Sequence, residues 1–149
     1  MRIVVDANIL VGQLSREQGR RLLRDPNLQL LITEQAWSEV WHEFPQRLQR
    51  RVAAQTFSAE AIESTLKVTH QFAEEYTTRI PLEIYASHED EARLRIPDDP
   101  DDWPTIALAL ATHSDIWTED RHFFGCGVAT WRTPQMKAIL ETEPGALAE

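Results

Sequence analysis

The chain has 149 residues, 42% hydrophobic and 26% charged, the balance of one folded globular domain rather than a disordered or fibrous chain. A single cysteine excludes an internal disulfide framework, and no apolar run reaches the ~20 residues that a membrane helix needs. The formal net charge of −9 runs against a uniformly basic nucleic-acid surface, so a polyanionic partner would need local compensation.

Met1-Arg2 leads straight into Ile3-Val4-Val5, without the basic segment and apolar stretch of a secretory leader, so a cytoplasmic protein is expected. Arg2–Val5 is short, apolar and β-branched, which fits a buried strand ending at Asp6. Ser15 stands where it can cap a helix reaching about Arg24, and Asp25-Pro26-Asn27 stops that helix. Leu28–Ile32 reads as a second buried strand. Thr33 then caps a helix carrying Ala36, Trp37, Val40, Trp41 and Phe44 at helical spacing. Pro45 is expected to break or restart it before it ends near Ala54. Ser58 opens a long helix to about Tyr76. Ile80–Tyr85 is a third strand candidate, and Ser87–Leu94 a short helix.

Pro97–Pro104 is a loop crowded with Pro and Asp. Thr105–Thr112 is expected to be helical, because alanine stands at three of its positions. Asp115–Thr118 is a fourth strand and Val128–Trp131, beyond the Gly125 and Gly127 turn, a fifth. Thr133-Pro134 starts the last helix, with proline in its first turn. Residues 1–142 are expected to form the domain, and Glu143–Glu149 a flexible tail. Strands alternating with helices imply a parallel sheet covered on both faces.

Open parallel sheets build sites beyond the C-terminal ends of their strands. Two candidate strands end in acids there: Ile3-Val4-Val5-Asp6-Ala7-Asn8 and Ile116-Trp117-Thr118-Glu119-Asp120. Each acid alone has a plain structural explanation as a turn or helix cap. Asp98-Asp99-Pro100-Asp101-Asp102 adds four carboxylates within five residues. One of them, Asp102, is explained as a cap for the following helix. Clustered carboxylates are also what a hard divalent cation requires, and Mg²⁺ keeps waters for a substrate phosphate. Glu39 borders the apolar stripe of its helix, with Glu34 and Glu43 as rivals there. Charge is uneven: residues 83–102 hold eight acids and two bases, whereas residues 16–51 hold seven arginines.

VVDANIL, Glu39 within TEQAWSEVW, DPDDWPTIALALA and IWTEDRHF occur in the order and spacing of the PIN domain, and the chain resembles VapC-type toxins in particular. The resemblance implies a three-layer α/β/α PIN-like fold around a mainly parallel sheet of about four or five strands. It also implies a Mg²⁺- or Mn²⁺-dependent endoribonuclease with one or two ions. Asp6, Glu39, Asp102 and Asp120 match the family's four acids. Asp6, Asp102 and Asp120 would bind metal, and Glu39 would be a ligand or orient the attacking water. Asn8 and Thr118 match the polar residues that support them. Asp99 and Asp101 remain rivals to Asp102, and Glu43 to Glu39. RNA is the implied substrate, cut to leave 5′-phosphate and 3′-hydroxyl ends. An antitoxin protein is the implied partner and a homodimer the implied assembly.

Other chemistries fit less well. A dehalogenase-like phosphatase needs an acid where Asn8 stands, no glycine-rich phosphate loop occurs, and the five histidines lack zinc-ligand spacing. The five tryptophans are expected mainly in the core. A PIN-fold binding module with little or no catalysis is the alternative from another class.

Overall fold

The computed structural model describes residues 1–53 and 57–146. Five strands form one sheet: β1 (Arg2–Val5), β2 (Gln29–Thr33), β3 (Thr77–Ile80), β4 (Asp115–Trp117) and β5 (Thr130–Trp131). Their order across the sheet is β3-β2-β1-β4-β5, and every pairing is parallel. Seven α-helices surround it among the described residues: α1 (Ala7–Leu14), α2 (Glu17–Leu23), α3 (Glu34–Val52), α4 (Ala59–Tyr76), α5 (Glu89–Arg95), α6 (Trp103–Thr112) and α7 (Thr133–Ala146).

The alternation of side chains along a strand divides the core into two layers. Ile3, Val5, Leu30, Ile32 and Trp117 face one side and pack with residues of α1, α2, α3 and α7, including Leu10, Val40 and Met136. Val4, Leu31 and Ile116 face the other and pack with Ala92, Ile106, Leu108 and Phe123 around α5 and α6. The three-layer α/β/α arrangement follows: a sheet with two apolar faces is stable only when helices cover both. β1 and β4 are neighbours whose onward connections lead to opposite edges of the sheet, so their C-terminal ends border a crevice.

Several local expectations are corrected. Residues 7–14 form α1, an element the sequence reading omitted. Ser15 ends α1, donating its hydroxyl to the Val11 carbonyl at 2.6 Å, and Arg16 precedes α2. The two helices turn closely at Gly19, where a Cβ would overlap the Gln13 backbone. α3 runs unbroken through Pro45, because Val40 and Phe44 before it and Leu48 after it pack into the same core. Its end, expected near Ala54, is at Val52; residue 54 lies outside the described residues. The third strand is Thr77–Ile80, not Ile80–Tyr85: Pro81 has no N–H for the ladder, and Leu82–Ile84 forms a 3-10 turn. The loop at 97–104 contains a 3-10 turn, Pro100–Asp102, that feeds directly into α6. α7 continues to Ala146, and the end of the expected tail, 147–149, lies outside the described residues.

Candidate active site

Asp6 is the first residue beyond β1 and the N-cap of α1. Its Oδ1 accepts from the Ile9 N–H at 2.8 Å, and its Oδ2 accepts from the Thr118 hydroxyl. Thr118 lies immediately past β4 and is fully buried. Its Oγ1 also accepts from the Asp120 N–H at 3.0 Å, so one hydroxyl ties the two strand-end acids together. Asp120 in turn accepts from the His122 N–H at 2.9 Å through Oδ1, which closes a turn after the strand. Asp102 ends the 3-10 turn at the start of α6. Glu39 lies in the second turn of α3, and its Oε1 accepts from Gln35 Nε2 at 3.3 Å.

These four acids, with Asn8, line one concavity of about 120 Å³ beyond the C-terminal ends of the strands. A space of that size has room for an ion and several waters. Among the described residues no Lys, Arg or His lines it. The missing countercharge has consequences. Asp6 is pushed up to about 6, chiefly by burial, against the bonds from Thr118 and Ile9, with repulsion from Asp120 and Glu119 added. Asp102 is also pushed up to about 6, first by burial, then by the charge and hydrogen bond of Asp99, then by Glu39 and Asp120.

The rivals sit elsewhere. Asp101 has a side chain 92% exposed and lies 3.6 Å from Arg93, facing away from the concavity. Asp99 abuts Asp102 and lies 3.7 Å from His122 Nδ1, but does not line the space. Glu43, one turn beyond Glu39, does not line it either. Thr33, Gln35, Thr105 and Phe123 do, and the sequence reading had not selected them for the site. Gln35 was within reach of pattern alone: it stands one helical turn before Glu39, where side chains meet.

The oxygen-only donor set suits a hard divalent cation. Two carboxyls held near pH 6 without a cationic neighbour are the residues that such an ion would neutralise. Among the described residues, no three His, Cys, Asp or Glu side chains already converge on one point. An ion here would therefore take one or two carboxylates directly and complete its shell with water, as Mg²⁺ commonly does.

A family model described as PIN domain matches residues 4–141. No curated protein matches the chain. No described helix is long and apolar enough to cross a membrane.

Proposed function

Because the chain belongs to the PIN-domain family, a family of metal-dependent nucleases, we propose that it is an endoribonuclease of the VapC-like toxin kind, hydrolysing RNA phosphodiester bonds with Mg²⁺ or Mn²⁺. One observation carries the proposal: acids from four separate segments line a single small concavity free of basic side chains among the described residues. Asp6, Asp102 and Asp120 would hold the cation directly or through water. When bound, a divalent cation lowers the pKa of water and offsets charge on phosphoryl and leaving oxygens.

The chain's own residues supply the positioning. Thr118 orients the Asp6 carboxylate and anchors the backbone at Asp120 through one hydroxyl. Glu39, exposed on its helix and steadied by Gln35, orients the attacking water or adds a ligand. Asn8, at the rim, offers an amide to a non-bridging phosphate oxygen. Attack in line with the leaving 3′-oxygen leaves 5′-phosphate and 3′-hydroxyl ends. An antitoxin protein, a homodimer and a cytoplasmic location belong to the same proposal.

Incubating the protein with a mixed RNA pool and Mn²⁺, followed by mapping of RNA ends, tests it. New 5′-phosphate ends should appear with the native chain and be absent with Asp6→Asn. Equal cleavage by both refutes the assignment of Asp6. Intact RNA that nonetheless stays bound to the native chain replaces the nuclease with a binding module.

A further inference from the structure

A polymeric substrate cut at the acidic concavity extends beyond it, over neighbouring surface. Asn8 lines the acidic concavity and also a second one of about 410 Å³, which runs along α1 to the first turn of α7 and is lined by Arg16 and Lys137. Its volume is in the range of ligand-sized sites. Arg16 and Lys137 also line the next depression along the same path, beside Glu17 and Gly19. Asn8 is thus common to the acidic concavity and the groove, and Arg16 and Lys137 to the groove and the depression beyond it.

Charge changes sign along that path. Two acids border it, and both are already neutralised. Glu119 accepts from Arg132 at 2.7 Å and from the Thr133 N–H at 2.8 Å. Glu17 accepts from Arg21 at 2.7 Å. Among the described residues, neither Arg16 nor Lys137 has an acidic partner within 4 Å. Arg16 spends only its Nε, on the Gly12 carbonyl at 3.3 Å, which leaves the terminal nitrogens of the guanidinium available. Two arginines of α3 add to the local field: Arg51 donates to the Ser15 carbonyl, and Arg47 reaches the surface beside Gly12. The eight residues of α1, about 12 Å long, stand between Asp6 at its start and Arg16 beyond its end.

We infer that this groove holds the phosphates of a single-stranded RNA next to the bond to be cut, with Arg16 and Lys137 as positioning residues. The inference rests on the nuclease reading of the acidic concavity for its direction, since the scissile phosphate must lie at Asp6. It also resolves the net charge of −9: the chain is acidic overall, yet its cations are left unpaired where a phosphate backbone would leave the site.

Binding tests the groove independently of catalysis. A fluorescein-labelled oligouridylate is titrated by anisotropy into Asp6→Asn protein with Mg²⁺ over a series of salt concentrations. Each phosphate contact to a single strand contributes about 0.7 to the slope of log K against log salt. Arg16→Ala/Lys137→Ala should lower that slope by about 1.4 and weaken binding at least tenfold at low salt. Arg2→Ala removes a charge at the opposite end of β1 and should leave both unchanged. In the otherwise native chain the double substitution should raise the KM for RNA about tenfold and alter kcat less than threefold. An unchanged slope, an equal loss in Arg2→Ala, or a native chain that binds no oligouridylate overturns the groove. Binding that behaves as expected, in a protein that cleaves nothing, upholds the groove and sinks the nuclease reading alone. Should the double variant fold poorly by circular dichroism, Arg16→Gln and Lys137→Gln singly must each lower the slope by about 0.7, or the groove fails.

Discussion

Asp101 and Asp102 are neighbours in the chain and opposites in environment. Asp101 is exposed and lies near Arg93. Asp102 turns into the concavity, where burial and three other acids push its pKa up to about 6. The same contrast holds more widely. Glu89 and Glu91 on α5 pair with Arg93 and Arg95 one turn on, at 2.9 and 2.7 Å, as ordinary solvated helix pairs. Asp6, Glu39, Asp102 and Asp120 share a space without an arginine among the described residues. A high density of acids in sequence is therefore not itself a site. What distinguishes the candidate acids is proximity to one another without an arginine or lysine beside them among the described residues.

The largest expected effect separates the two neighbours directly. Asp102→Asn should reduce Mn²⁺-dependent RNA cleavage by a factor on the order of 10²–10³, the scale of losing one group that stabilises transition-state charge. Asp101→Asn should leave the rate unchanged. Equal rates in a cleavage time course would erase the distinction.

Metal should act next. Millimolar Mg²⁺ or Mn²⁺ should raise the Tm of the native chain at neutral pH through binding linkage, and Asp6→Asn should lose most of that shift in a thermal scan. A metal response in the mutant equal to that of the native chain would remove Asp6 from the site.

The acids should also impose a pH dependence on the metal-free fold. Asp6 has a folded pKa raised from 3.8 to about 6, so its contribution favours the fold below the unfolded value and is lost as pH rises through about 6. The cost of ionising it is on the order of 2–3 kcal/mol. Asp6→Asn keeps an N-capping oxygen for the Ile9 N–H and should unfold several degrees higher than the native chain at pH 7 without metal. At pH 4 that advantage should vanish. A mutant less stable at both values in urea titrations would show that Asp6 serves the fold rather than opposing it.

Smaller still is the effect of Gly19→Ala, which forces a methyl against the Gln13 backbone at the α1–α2 corner and should cost about 1–3 kcal/mol in urea unfolding. Arg21→Ala, which removes one exposed helix pair with Glu17, should change stability least of all.

Part of this was legible in one dimension. β1 and β4 announce themselves as apolar runs closed by polar residues, and the cap residues Thr33 and Ser58 open α3 and α4 as expected. α1 was hidden because Ala7, Ile9, Leu10, Val11, Gln13 and Leu14 are all buried, so no polar face marks a helical period. β3 was displaced because a short strand with Thr78 and Arg79 exposed lacks the apolar run that Leu82-Glu83-Ile84-Tyr85 mimics.

The ordered motifs of the sequence determined the family and the alternating α/β class, because helix and strand periods and strand-end acids are local patterns carried by the chain itself. Tertiary structure alone decided which acids face one another and which are left to arginine. The Pro100–Asp102 turn directs Asp102 inward and Asp101 outward, and the Thr118 hydroxyl reaches the Asp6 carboxylate across 112 residues of chain. Charge repulsion and burial depend on distances through space, and spacing along the chain does not specify them.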